Sequence, residues 1–211
     1  MPSLPSADHS STDPIRVVGI TGSLRRGSST TAAVRIALEG AAAAGAAVEL
    51  IDLREYKLMF AGNDQDDSHP TDVEKLRETV KKADGILLGT PEYHGSFSGV
   101  LKNALELVSL DEFEGKMIGL VGVSAGRMGG LDALSSLRNV ARAVHAWVVP
   151  EQVSVPKVST AFDASGQPVD AITLKRLHHL GRRVTQFARL HRHGRAHDFL
   201  TTEIGTENTG A

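Results

Sequence analysis

The sequence predicts an α/β fold in which a five-stranded parallel sheet lies between two layers of helices. Three observations predict it. Short apolar, β-branched runs alternate with stretches of helical periodicity along the body of the chain. Most of those runs are apolar on consecutive residues, as strands buried on both faces require. Glycine makes up 21 of 211 residues, above the usual ~7%. The excess sits where apolar runs end, where backbone must turn or approach something closely.

The elements follow in order. "IRVVGIT" (15–21) is the first strand. Residues 28–44 form a helix, with Ser28 and Ser29 as candidate N-caps and Gly45 as its stop. "AVELIDL" (47–53) is the second strand. Thr71 or Asp72 can cap a helix through Lys82 that carries Val73, Leu76 and Val80 on one face. "GILLGT" (85–90) is the third strand. A helix over 99–109 follows, with Ser96 and Ser98 as possible caps and Leu101, Ala104, Leu105 and Val108 as its apolar side. "KMIGLVGVS" (116–124) is the fourth strand and 131–143 its helix. "AWVVP" (146–150) opens the fifth strand, which continues in "QVSVP" (152–156). The last helix spans 169–190, with Leu177, Leu180, Val184 and Phe187 at helical spacing. The domain is 15–193. Residues 1–14 and 194–211 read as disordered tails, too polar and aperiodic to bury a core.

Bulk properties narrow the function. A formal charge of −2 argues against nucleic acid or a membrane surface as partner. The chain has no cysteine, which removes disulfides, thiolate metal sites and a cysteine nucleophile. No run approaches the ~20 apolar residues of a membrane span, and the N-terminus lacks a signal-peptide core. A cytoplasmic protein is expected.

In such a sheet, ligands bind beyond the carboxyl ends of the strands, where the winding reverses. The loops after strands one, three and four are therefore the candidates. The first, "TGSLRRGSST" (21–30), runs from a strand into a helix. A helix N-terminus has unpaired N–H groups and about half a positive charge. Glycines let the backbone approach, Ser23, Ser28, Ser29 and Thr30 offer hydroxyls, and Arg25 and Arg26 offer charge. That chemistry suits a phosphate monoester. A Gly-Lys-Ser/Thr step is absent, and Gly19, Gly22 and Gly27 do not fit G-x-G-x-x-G. A mononucleotide phosphate is left. The loop after strand three, "GTPEYHGSFSGVLKNALE" (89–106), presents Glu92, Tyr93 and His94 between a stiffening Pro91 and a permissive Gly95. A planar heteroaromatic ring needs such a ledge. A hydrolytic triad is not supported, for no G-x-S-x-G elbow appears, and one histidine beside a glutamate is weak evidence for a metal.

"GSLRRGSST" paired with "PEYHGSFSGVLKNALE" closely resembles the NAD(P)H-dependent FMN reductases, a flavodoxin-like group that includes quinone, chromate and azo-dye reductases. The resemblance covers residues 15 to about 190. It implies a flavodoxin-like three-layer sandwich with strand order 2-1-3-4-5. It implies that Ser23, Arg25, Ser28 and Thr30 hold the FMN phosphate, and that Pro91, Glu92, Tyr93, His94 and Gly95 hold the isoalloxazine. "SAGRMGG" would close over the ring's other side through Ser124, Ala125 and Gly126, with Arg127 steering a co-substrate phosphate or anionic acceptor. Thr30 and His94 stand where many relatives have asparagine, so the resemblance does not carry over an acceptor preference. The implied activity is ping-pong hydride transfer from NADPH or NADH through FMN to a quinone, flavin, chromate or azo compound, with no catalytic side chain and no metal. The alternative is a flavodoxin-type electron carrier without NAD(P)H turnover.

Two segments stand outside that scheme. The acidic "NDQDDSH" (63–69) lacks the spacing of a calcium loop. In the family this region is a surface loop often near a subunit contact. The apolar "YKLMF" (56–60) before it suits a neighbouring subunit, so a homodimer or homotetramer is expected. Residues 175–195 carry seven Lys or Arg and four His without an acid, and read as the solvated face of a terminal helix.

Overall fold

The computed structural model describes residues 13–62 and 72–196. Five strands run parallel: β1 (Arg16–Thr21), β2 (Ala47–Asp52), β3 (Gly85–Tyr93), β5 (Met117–Val123) and β6 (Trp147–Val155), in spatial order β2-β1-β3-β5-β6. That matches the expected order of the five parallel strands. The sheet has a sixth, two-residue strand that the sequence did not announce, β4 (Ser96–Phe97), antiparallel to β3. Ser96 therefore pairs with Tyr93 and does not cap a helix.

The helices are α1 (Ser29–Ala42), α2 (Val73–Lys81), α3 (Gly99–Glu106), α4 (Leu110–Phe113), α5 (Leu131–Ala143), α6 (Val158–Ala161) and α7 (Ala171–Ala196). The helix expected over 99–109 stops early, and α4 begins afresh. Ser109 followed three residues later by Glu112 is a helix-start signature, and the Ser109 N–H donates to Glu112 Oε2 at 2.7 Å. At α7, Asp170 accepts from the N–H groups of Ile172 and Thr173, both at 3.0 Å. The helix then outruns its expected end at 190. Cations suit a helix C-terminus, and Arg192 is clasped to Asp84 with Nε–Oδ1 at 3.1 Å. The acidic segment 63–69, Thr71, residues 1–12 and 197–211 lie outside the described residues.

Alternation along each strand feeds two cores. Val17, Leu87 and Val121 face α1 and α7, against Val34, Ala37, Leu180 and Val184. Val18, Ile20, Ile86, Leu88, Ile118 and Leu120 face the other way, against Leu76, Leu101, Leu134 and Leu137. The backbones of α1 and α7 nearly touch. A Cβ on Gly40 would lie 2.2 Å from His178 O, and one on Gly181 1.7 Å from Ala37 O. Tyr56 and Leu58 pack against the second core, while Phe60 is 79% exposed. The basic run of α7 is only partly a solvated face. Arg176 bonds Gln152 O, Arg183 pairs with Glu151, Arg189 reaches Ala44 O and His178 faces Glu39.

The edge strand β6 is blunted. Its register against β5 slips between Ile118 and Leu120, and Pro150 lacks an N–H. Arg138 donates to Val149 O (3.4 Å) and Pro150 O (3.2 Å), and Arg176 to Gln152 O (3.3 Å). Such devices keep an open edge from pairing with another chain.

Candidate functional site

The register brings the carboxyl ends of the parallel strands level. Thr21 lies beside Asp52 and Gly89, Pro91 beside Val123, and Val123 beside Val155. A cleft of about 440 Å³ opens there, lined by Ser23–Arg25–Thr30 loop residues, Pro91, Glu92, Tyr93, Val123, Ser124, Ala125 and Val158.

The first wall is the turn from β1 into α1. Gly22 is wedged where a Cβ would stand 2.6 Å from Leu101 Cβ and 2.7 Å from Ser98 Oγ. Its N–H donates to Gly89 O (2.8 Å), and its carbonyl accepts from Ser98 Oγ (2.6 Å). Ser98 also caps α3, accepting from the Leu101 N–H at 3.2 Å. One hydroxyl thus ties the first loop to the third-strand helix. Ser23 is buried, and its Oγ accepts from the Arg25 N–H at 3.4 Å. Ser28 caps α1, accepting from the Thr31 N–H at 3.3 Å. The N–H groups of Ser29 and Thr30 precede any intrahelical acceptor. No acidic residue sits in that first turn. Arg25 and Arg26 are exposed and, among the described residues, form no ion pair. The wall is therefore an anion-suited, positively charged concavity.

Behind it stands Asp52, 2% exposed, held by Arg54 Nε at 2.9 and 3.1 Å. The Arg54 side chain bonding to it holds the Asp52 carboxyl below its ordinary value. Arg54 also donates to Arg25 O at 3.5 Å, joining the end of β2 to the first loop.

The second wall is the β3–β4 hairpin. His94 (φ 53°) and Gly95 (φ 75°) are its two turn residues. Two successive left-handed residues make the type I′ turn that suits strand twist, and histidine and asparagine both tolerate that region better than most side chains. Histidine thus fits the backbone of this position. Neither His94 nor Gly95 is among the residues that line the cleft. Glu92 does line it, but its carboxylate is engaged elsewhere: Oε2 accepts from the N–H groups of Asp132 (3.0 Å) and Ala133 (3.1 Å) at the start of α5.

The third wall begins at Ser124, whose Oγ accepts from the Gly126 N–H at 3.0 Å. Ser124 and Ala125 line the cleft; Gly126 and Arg127 lie beyond the lining, on the exposed part of the loop. Val158 completes the wall, its N–H bonded to Ser124 O at 3.0 Å. No motif marks Val158 in the sequence, because it follows the last strand and arrives only through folding. Among the described residues no group of three or more His, Asp or Glu is placed to hold a metal ion, and no helix is long and apolar enough to cross a membrane.

Comparison with known proteins bears on what this cleft serves. A family model described as NADPH-dependent FMN reductase matches residues 15–160. The chain is 39% identical over 163 residues to an NAD(P)H-dependent FMN reductase of Pseudomonas aeruginosa, covering 75% of this chain and 86% of that protein. It is 37% identical over 151 residues to an FMN-dependent NADPH-azoreductase of Staphylococcus aureus, covering 70% and 80%. Among solved structures, the flavoenzyme NAD(P)H:(acceptor) oxidoreductase FerB of Paracoccus denitrificans superimposes with a TM-score of 0.70 at 24% identity, covering 84% and 98%. An archaeal flavodoxin superimposes at 0.58 and 14%, covering 83% and 99%. Those two likenesses concern the fold, which is flavodoxin-like. With the family model spanning more than half of its length, and with the strand-end cleft built on the loops that the motifs occupy, the chain belongs to the NADPH-dependent FMN reductase family.

Proposed function

We propose that this protein is an FMN-dependent NAD(P)H oxidoreductase that reduces a small-molecule acceptor. The observation that carries the reading is the cleft itself. At the carboxyl end of the sheet it joins an anion-suited helix N-terminus, with two arginines that form no ion pair among the described residues, to a hairpin wall. The residues present fit FMN. Ser23, Arg25, Ser28 and Thr30 would hold the phosphate, with Gly22 and Gly27 allowing close backbone approach. Pro91, Tyr93 and the backbone of Glu92 would flank the ring along β3, with the His94–Gly95 turn fixing the shape of that wall. Ser124, Ala125 and Gly126 would border it from the other side. Bound FMN supplies the hydride-accepting and electron-releasing chemistry. The chain's own part is to bind, orient and leave one face of the cleft open, so no side-chain nucleophile is required. Arg127, exposed on the third loop, would steer the anionic part of the co-substrate or acceptor. Two substrates using one open face in turn give ping-pong kinetics.

Azo compounds and quinones are the acceptors this reading favours, the first because relatives are named azoreductases. The cytoplasm, where NAD(P)H is held, is the compartment it implies. Phe60 and Met128, 79% and 64% exposed, belong to segments that follow strand ends β2 and β5, and support assembly into a homodimer or homotetramer across this end of the sheet.

The test is direct. Purified protein should take up FMN and turn yellow. Arg25→Ala and Arg26→Ala should each weaken FMN by about tenfold, as loss of a charge-assisted contact implies, and riboflavin far less. Double-reciprocal plots for NADPH against a quinone should be parallel. Protein that stays colourless after soaking in FMN sinks the proposal. Yellow protein that never consumes NADPH leaves the electron-carrier alternative.

A further inference from the structure

The sequence directs Glu92 toward a bound ring, and the structure turns its carboxylate to a helix. The reason lies 40 residues away in the chain. The N-cap position of helix α5 is Gly130, which has φ 89° and no side chain with which to cap. A side chain there is strained by that φ and crowded as well: a Cβ on Gly130 would stand 3.2 Å from the backbone of Gly122 and Val123, and one on the preceding Gly129 2.2 Å from Ser154 Oγ. The left-handed backbone of Gly130 and its close packing against β5 therefore disfavour a local Ser, Thr, Asp or Asn cap. Helix N–H groups left without acceptors are destabilising. Glu92 supplies the acceptor from outside, with one oxygen shared by two first-turn N–H groups, and its negative charge faces the positive end of the helix.

This tie joins two walls of the cleft. Pro91 and Tyr93, on either side of Glu92, line one; Ser124 and Ala125 begin the loop that ends at Gly130 and line the other. That loop is otherwise attached on its β6 side. Ser154 Oγ donates to Met128 O (3.0 Å), the Lys157 N–H to Gly126 O (3.1 Å) and the Ser124 N–H to Val155 O (3.1 Å). From the β3 side, the hydrogen bonds among the described residues that reach the start of α5 are those of Glu92.

We infer that Glu92 is a positioning residue: it caps α5 in place of the missing local cap, and so fixes the spacing between the hairpin wall and the 124–130 loop at the ring end of the cleft. Its effect on flavin binding rests on the FMN reading above; the tie itself does not.

Three variants test it. In the flavin-free protein, Glu92→Ala should speed hydrogen exchange at the Asp132 and Ala133 amides and leave the first turn of α1 unchanged. Glu92→Gln keeps an accepting oxygen and should restore most of the protection. Glu92→Asp, too short to reach both N–H groups, should behave like alanine, and carries the test if the alanine variant does not fold. In binding titrations, alanine should weaken FMN and riboflavin by the same factor, about five- to tenfold for a lost cap, because the damage is remote from the phosphate. Glutamine should stay within about twofold. Unchanged exchange at Asp132 and Ala133 in both the alanine and aspartate variants overturns the inference. So does an equal loss of FMN affinity in the alanine and glutamine variants with α5 protection intact, for the carboxylate would then contact the ligand itself. Wild-type protein that binds no flavin, but shows the expected exchange pattern, defeats the FMN reading and leaves the tie standing.

Discussion

At the end of β2, the Asp52 side chain is buried and its charge is met by Arg54. Asp52→Asn removes that charge and should cost about 2 kcal/mol, the scale of a hydrogen bond to a charged group. The pH dependence follows from the direction of the shift. The folded carboxyl titrates below its ordinary 3.8. The stabilisation is therefore complete above that value and is lost as pH falls through it toward the folded value. Urea unfolding should show a wild-type advantage near pH 7 that shrinks near pH 3. At this scale the sequence was informative where chemistry is local. Ser28 caps the helix it precedes, and Ser23, Arg25 and Thr30 gather in one turn. It was uninformative where the partner is remote. Glu92 meets Asp132 and Ala133, and Val158 meets Ser124, through pairings that no short motif encodes.

Helices α1 and α7 cross at Gly40 and Gly181, where the two backbones meet. Two effects of Gly181→Ala oppose each other. Alanine gains about 1 kcal/mol of helix propensity. Its Cβ would sit 1.7 Å from Ala37 O, a backbone atom that cannot swing aside, so the helices must separate. Overpacking of that kind costs about 1–3 kcal/mol and sometimes more, and here the obstacle is main chain. The net result should be a loss of about 2 kcal/mol, read as a lower midpoint in urea. Element by element, all five parallel strands and the helix 131–143 were legible, because consecutive β-branched runs and helical spacing are strong signals. The break between α3 and α4 was missed because Leu107 and Val108 continue the apolar face through it, both buried in the same region. The strand β4 was missed because two residues carry no periodicity. The end of α7 was missed because its basic residues read as solvent-facing, whereas Arg192 is fastened to Asp84.

For the whole molecule, the border of the sheet at β6 is a point of vulnerability. The carbonyls of Val149, Pro150 and Gln152 on β6 are occupied by Arg138 from α5 and Arg176 from α7. The Arg138→Ala/Arg176→Ala double variant should leave the cleft unaltered and free those acceptors. Its expected signature is concentration-dependent association in light scattering, with secondary structure preserved by circular dichroism. An unchanged scattering profile would show that Pro150 and the register slip protect the border unaided. The strand order was foreseen from the family resemblance and the alternation of elements, whereas this protection was not, since it depends on which helices flank the last strand.

The crossing of α1 and α7 also orders events in time. Ala33, Val34, Ala37 and Ala41 are covered by Leu177, Leu180, Val184 and Ala188, residues synthesised long after them and beyond the segment matched by the family model. Until α7 has been made, the side of this alanine–valine ridge that faces away from the sheet has no native cover. The nascent chain must keep it from straying until that helix has been made.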